Sequence, residues 1–177
     1  MRLVVIGVNH KTAPVALRER LALVGDDVYS ALEQLEHFTD GSIIVSTCNR
    51  TEIYALVPLE SVSLDTDMAA TPTRLSTDKQ PFQTSPQNNV VSSSLPSAVV
   101  SAHILSIKTW LADFKQLSLT EVDPYLYVHR DIHALTHWLR VAAGLDSMIL
   151  GEPQILGQIK QAVHLAQTEK AINNQLR

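Results

Sequence analysis

Ser42-Ile43-Ile44-Val45-Ser46-Thr47-Cys48-Asn49-Arg50-Thr51-Glu52-Ile53-Tyr54-Ala55-Leu56-Val57 is the stretch whose reading decides the fold. Ser42 to Val45 is mostly β-branched and apolar, and Thr51 to Val57 alternates. Ile53, Ala55 and Val57 fall on one face and Tyr54 and Leu56 on the other, the period of a strand. Asn49-Arg50 lies at the tight connection, so the stretch predicts two paired strands with Cys48 at the rim.

Outward toward the N-terminus, Leu3 to Val8 is another β-branched run and predicts a buried strand. Thr12-Ala13-Pro14 opens a helix, with Thr12 or Ala13 as N-cap and Pro14 in the first turn, where its missing N–H does no harm. Leu17, Leu21 and Leu23 form its apolar side. Gly25-Asp26-Asp27 starts a second helix, carrying Val28, Ala31, Leu32 and Leu35 at helical spacing.

Outward toward the C-terminus, Ser, Thr, Pro, Asn and Gln dominate residues 59–96. Such a segment has too little apolar surface to offset the entropy of ordering, and it predicts a disordered insertion. Pro72, Pro81, Pro86 and Pro96 argue against hidden structure within it. Order resumes near Ser97-Ala98, with Val100, Ile104, Ile107, Leu111 and Phe114 at helical spacing. Tyr125 to His129 predicts a fourth strand. Asp131 then caps a helix carrying Leu135, Trp138, Leu139 and Val141, and Gly144 stops it. Pro153 starts a further helix with Ile155, Leu156, Ile159 and Val163 on one side. No stop signal follows, so 153–177 reads as the start of a long connecting helix that the chain cuts. The order β-α-β-β-α-β predicts an α/β (α+β) fold of the split-βαβ, ferredoxin-like kind, a four-stranded sheet with additional helices. Residues 1–58 and 97–152 would form the domain.

The 177 residues, 45% hydrophobic and 18% charged, suffice for one domain with a core. A net charge of -4 gives no overall attraction for polyanions, and no dense Lys/Arg run exists, so a nucleic acid would need a local basic patch. The single cysteine excludes an internal disulfide. With no signal-peptide core and no membrane-length apolar stretch, a soluble cytoplasmic protein is expected. No GxGxxG, Walker loop or CxxC pair points to a nucleotide unit or a zinc site.

Cys48, at the end of an apolar strand, is a candidate nucleophile, because a thiolate attacks an ester and splits one difficult step in two. Arg50, two residues on, favours a thiolate, and its planar fork also suits a carboxylate. Glu52 can bind an ammonium group. Each has a plainer reading: an inert buried cysteine, a surface arginine, a solvated strand carboxylate. His137, in an apolar helical setting beside Trp138, is a candidate acid or base, or else a satisfied core histidine. His10 is a weaker candidate. The run from Gly144 to Gln154 gathers Ser147, Glu152 and Gln154 around a helix start, where free N–H groups can take a ligand oxygen.

Three segments together resemble one family: Gly7-Val8-Asn9-His10-Lys11-Thr12-Ala13-Pro14 with Leu17-Arg18-Glu19, Ser46 to Glu52, and His137 to Gln158. They look like the N-terminal catalytic domain of glutamyl-tRNA reductase. The resemblance implies that the Cys48 thiolate attacks glutamyl-tRNA and releases the RNA. NADPH, bound by a domain absent from this chain, would then reduce the thioester to glutamate-1-semialdehyde, the first step of tetrapyrrole synthesis. It implies a substrate pocket of Thr47, Cys48, Asn49 and Arg50 with Ser147, Glu152, Pro153, Gln154 and Gln158, and makes His137 important for activity. It also implies a homodimer for the full-length family, a link to the aminomutase that follows in the pathway, and no membrane. Two other readings stay open: a stand-alone Cys-dependent thioesterase or amidase using Cys48 and His137, and a non-catalytic remnant that binds tRNA.

Overall fold

A computed structural model describes residues 1–59 and 95–172. Four strands build one sheet: β1 (Arg2–Asn9), β2 (Gly41–Thr47), β3 (Arg50–Val57) and β4 (Tyr127–Arg130). Their order is β2-β3-β1-β4, and every neighbouring pair is antiparallel. That order and connectivity are those of the split βαβ arrangement expected from the sequence. Every residue of β3 is buried, so both faces of the sheet are covered.

One face, carrying Ile6, Val8, Ile53 and Ala55, belongs to the core. Helix α1 (Val15–Leu21) and helix α2 (Asp26–Leu35) bury Leu17, Leu21, Ala31, Leu32 and Leu35. Helix α3 (Leu95–Phe114) is tied to α2 by Trp110 Nε1–H, which donates to Gln34 Oε1 at 2.9 Å, and by Lys115 Nζ on Asp27 at 2.8 Å. On the opposite face Tyr54 meets Trp138 of helix α5 (Ile132–Ala142) edge-on, ring centroids 4.6 Å apart. Helix α6 (Gln154–Thr168) lies against the outer strand β2.

Gly7 of the central strand faces Glu52 on β3 and Tyr127 on β4. A Cβ there would lie 2.5 Å from the Thr51 carbonyl oxygen and 2.8 Å from Glu52 Cγ. The missing side chain is what lets the Glu52 carboxylate and the Tyr127 hydroxyl meet across β1.

Several expectations are revised. Pro14, with φ -65° and ψ 157°, is itself the N-cap of α1. Thr12 instead closes the preceding turn, its Oγ1 accepting from Asn9 N–H at 3.1 Å. The two-residue connection between β2 and β3 is Cys48-Asn49, since Arg50 already pairs with Thr47. Helix α3 begins at Leu95, so Pro96 lies in its first turn, a position proline tolerates; the expected insertion otherwise falls outside the described residues. A short helix α4 (Leu119–Val122) and a 3-10 turn (Asp123–Tyr125) precede β4 and shift its start to Tyr127. Asp131 holds the N-cap position of α5 but makes no side-chain cap, because its carboxylate pairs with Arg2 at 2.8 Å. Leu135 and Leu139 are exposed; α5 buries Ala134, His137 and Val141 instead, the face that reaches Glu52. Helix α6 stops at Thr168, Lys170 takes φ +59°, and Ala171 and Ile172 turn back into the core. Ser42 N–H of β2 donates to the Ala171 carbonyl at 2.7 Å.

Gly7→Ala is expected to destabilise the domain by about 1–3 kcal/mol through overpacking against backbone that cannot yield. Urea unfolding followed by circular dichroism measures this.

Candidate active site

The β2–β3 turn is tied on both sides. Asn49 N–H donates to Thr47 Oγ1 at 3.2 Å, and the Asn49 carbonyl accepts from His10 N–H at 2.9 Å. A two-residue turn leaves no room to fold Cys48 inward, and its side chain is exposed. The inert buried thiol is thereby excluded. Beside it lies a cavity of about 60 Å³, bordered by Thr47, Cys48, Asn49 and Arg50 from the turn. Ser147, Glu152, Gln154 and Gln158 close it from the loop before α6 and the start of that helix.

Arg50 is buried, 2% exposed, with its guanidinium spanning two anchors. One Nη donates to Glu52 Oε1 at 2.7 Å and the other to the Asp146 carbonyl oxygen at 2.7 Å. Glu52 has no exposed surface. Besides Arg50 it accepts from Tyr54 Oη at 2.6 Å, from Tyr127 Oη, and from His137 Nε2 at 2.8 Å. Burial alone would raise the Glu52 carboxyl pKa. The His137 hydrogen bond and the Arg50 charge outweigh burial and hold it below its ordinary value. An ionised carboxylate only accepts, so the proton of the His137 contact sits on Nε2. Both tyrosine hydroxyls are pushed far up, first by burial and then by the Glu52 charge, so they stay neutral donors. The expected ammonium-binding or solvated Glu52 is therefore replaced by a buried anchor.

The loop after α5 brings the second anchor. Gly144 has φ +69°, and a Cβ on it would come within 3.0 Å of Gly151 Cα. Gly151 N–H donates to the Gly144 carbonyl at 3.0 Å, closing residues 144–151 into a compact loop. Inside it the Asp146 carboxylate pairs with Lys11 at 3.0 Å and with Arg140 Nε at 3.0 Å. The Arg140 hydrogen bond, with Lys11 behind it, holds the Asp146 carboxyl well below the usual range despite partial burial.

The structure thus brings Thr47 to Arg50, Ser147, Glu152, Gln154 and Gln158 around one cavity, with Pro153 exposed at the N-cap of α6 beside them. It does not bring His137 there. His137 borders a separate cavity of about 440 Å³ with Lys11, Tyr127, His129, His133 and Arg140. His10 lies under the turn; its Nδ1 is buried without a partner, and burial followed by the Lys11 charge lowers its pKa. The sequence reading passed over Tyr54, Tyr127, Lys11 and Asp146. Their signal was faint: each becomes informative only once Glu52 and Arg50 are known to be buried.

An antiparallel split-βαβ sheet with an exposed cysteine on a two-residue turn, set over a small polar cavity, defines a thiol-bearing α/β domain. The pattern of the family described as glutamyl-tRNAGlu reductase, N-terminal domain, matches residues 6–177. The chain belongs to that family. It is 71% identical over 176 residues to glutamyl-tRNA reductase of Psychrobacter arcticus, covering 99% of this chain and 37% of the relative. It is 40% identical to the enzyme so named from Pseudoalteromonas atlantica, covering 92% of this chain and 29% of that one. The chain therefore spans little more than a third of the relative it matches at 71% identity. The solved glutamyl-tRNA reductase of Methanopyrus kandleri superposes with a TM-score of 0.59 at 24% identity, over 98% of this chain and 30% of that one, a likeness of fold. Among the described residues no helix is long and apolar enough to cross a membrane.

Glu52→Gln leaves the buried Arg50 charge without its anion and is expected to cost about 3–5 kcal/mol of stability. The wild type carries a matching pH dependence. A carboxyl held below its ordinary value of 4.5 contributes stability that is complete above that pH and is lost as pH falls through the lower folded value. Unfolding free energy should fall on acidification below about pH 4.5, less steeply in Glu52→Gln; equal slopes in both proteins would contradict the assignment.

Proposed function

We propose that this domain performs the acyl-transfer half of the reaction its relatives are named for. The carrying observation is the exposed Cys48 thiol on a tied turn, beside a polar cavity bordered by a buried arginine. The Cys48 sulfur forms a bond to the glutamyl carbonyl carbon of glutamyl-tRNA. The bond from that carbon to the ribose oxygen breaks, and the RNA leaves with the proton the thiol gave up. The product is a glutamyl thioester on Cys48.

Arg50 supplies selectivity in this reading. In the ester, the side-chain carboxylate is the only acid group of the glutamate, and a guanidinium already oriented by Glu52 and Asp146 receives it at little entropic cost. A glutamine side chain offers no charge in return. Ser147, Glu152, Gln154 and Gln158 line the remaining wall, with Pro153 fixing the start of α6. His137, held by Glu52 away from the Cys48 cavity, acts as a positioning residue and not as the base for the thiol. This placement disfavours the stand-alone thioesterase reading built on a Cys48–His137 pair.

NADPH would supply the hydride that converts the thioester to an aldehyde. The described residues do not fit that cofactor: all strand pairings are antiparallel, and a dinucleotide site uses a parallel crossover with a glycine-rich turn. We assign reduction, homodimer formation and any contact with the following aminomutase to the part of the relatives' length this chain does not cover. A cytoplasmic location accords with a tRNA substrate.

Incubation with glutamyl-tRNA should add one glutamyl residue to Cys48 by mass spectrometry, and Cys48→Ala should abolish the adduct. Semialdehyde formed by this chain alone with NADPH would contradict the division of labour. Arg50→Lys should lower the acylation rate about 10- to 100-fold and erode preference over glutaminyl-tRNA, the worth of one charge-assisted contact; unchanged rate and preference would remove Arg50 from the role.

A further inference from the structure

The loop of residues 144–151 carries the Asp146 carbonyl that anchors Arg50, yet almost nothing apolar holds that loop down. Met148, Ile149 and Leu150 at its tip are 63%, 69% and 73% exposed. Among the described residues 145–154, only Asp146 is buried. Burial of apolar surface, which fixes most of this domain, therefore does not fix the position of the second Arg50 anchor. Polar contacts have to do so.

Three charge-assisted hydrogen bonds converge on the Asp146 carboxylate. Arg140 donates from Nε to Oδ2 at 3.0 Å and from Nη2 to Oδ1 at 3.2 Å, a two-pronged grip, and Lys11 Nζ donates to Oδ1 at 3.0 Å. Both cations come from elements formed without the loop. Arg140 lies in the last turn of α5. Lys11 lies in the turn after β1, where its N–H donates to Asn9 Oδ1 at 2.9 Å, and Asn9 pairs with Arg50 across the strands. Lys11 thus ties the loop to the strand pair that carries Arg50 itself. None of the three side chains borders the Cys48 cavity; all line the larger one, beyond the wall that the Arg50–Asp146 bond forms.

We propose that Lys11, Asp146 and Arg140 are positioning residues: their clamp holds the Asp146 carbonyl against Arg50 and thereby sets the preference for a glutamyl side chain at Cys48. The inference rests on the acyl-transfer reading, with Arg50 receiving the substrate carboxylate. A guanidinium held at one nitrogen swings about that bond. Held at two, by Glu52 and by the Asp146 carbonyl, its plane is fixed and its remaining N–H groups keep one direction. A glutamine side chain brings no charge to that aligned fork. Loss of the clamp should therefore erode discrimination, while the Cys48 thiol on its separately tied turn keeps its reactivity.

The test has two arms on the whole chain. The first needs no RNA: solvent exchange of the Arg50 guanidinium protons is followed by magnetic resonance. Asp146→Asn should speed it about tenfold, the worth of one charge-assisted contact. Lys11→Met removes a side chain that is 56% exposed, so the fold is kept, and should speed exchange about threefold. Exchange unchanged in both variants would overturn the inference. The second arm compares Cys48 acylation by glutamyl-tRNA and glutaminyl-tRNA. Asp146→Asn should lower the ratio of the two kcat/KM values about tenfold, and Lys11→Arg should restore what Lys11→Met loses. Asp146→Asn combined with Arg50→Lys should lose no more preference than Arg50→Lys alone, because both act on one contact. Equal losses on the two substrates, the mark of a merely structural role, or additive losses in the double variant would overturn the assignment. Wild-type Cys48 that takes no glutamate would sink the acyl-transfer reading and the selectivity with it, and the exchange arm would still read the hold of the clamp on Arg50.

Discussion

Four side chains from three elements converge on the carboxylate of Glu52, which has no contact with solvent. Arg50 and Tyr54 come from its own strand, Tyr127 from the far strand β4, and His137 from α5. A buried carboxylate without partners would be expelled or protonated. Here every donor is delivered by backbone already fixed in the sheet or packed on it, so the charge is held by the fold and the fold by the charge. The Gly7 gap makes this possible, since Glu52 and Tyr127 belong to strands separated by β1. Orientation of Arg50 follows, and with it one side of the Cys48 cavity.

This arrangement divides the site into a rigid layer and an accessible one. Glu52, Tyr54 and His137 are buried and engaged with one another; Cys48, Glu152 and Gln154 border the cavity from loops or helix starts. The two layers meet at Arg50 and at the Asp146 backbone. The 144–151 loop is itself closed by the Gly144–Gly151 contact, so it presents Ser147 and Asp146 to opposite cavities without being a wandering connection. Such preorganisation is what lets a few polar groups select a substrate without spending binding energy on ordering themselves.

Much of the fold was legible because periodicity reports burial directly. The β-branched runs at Leu3–Val8 and Ser42–Val57 gave three strands, and Gly144 marked the end of α5 through its positive φ. Failures came where a polar contact overrode the apolar pattern. Leu135 and Leu139 looked like the inner face of α5, but His137 turns toward Glu52 and carries the helix with it. Asp131 looked like a cap, but Arg2 claims its carboxylate. The four-residue helix capped by Ser118, which accepts from Glu121 N–H, went unread, because so short an element has no apolar period to show. For the site, Cys48 and Arg50 could be singled out locally. Their meeting with Ser147 and Gln158 is a tertiary fact, foreseen only through family resemblance, and the Lys11–Asp146 pair spans too much sequence for any local pattern to show.

The backward turn after α6 has a further consequence. β2 is an outer strand, and the free N–H groups of such a strand invite pairing with any passing chain. Ser42 cannot make that offer, because the Ala171 carbonyl already occupies its N–H, and Ile172 is buried beside it. The segment thereby covers this position of the strand edge, and any rearrangement that lifted it would leave the Ser42 N–H open to pairing.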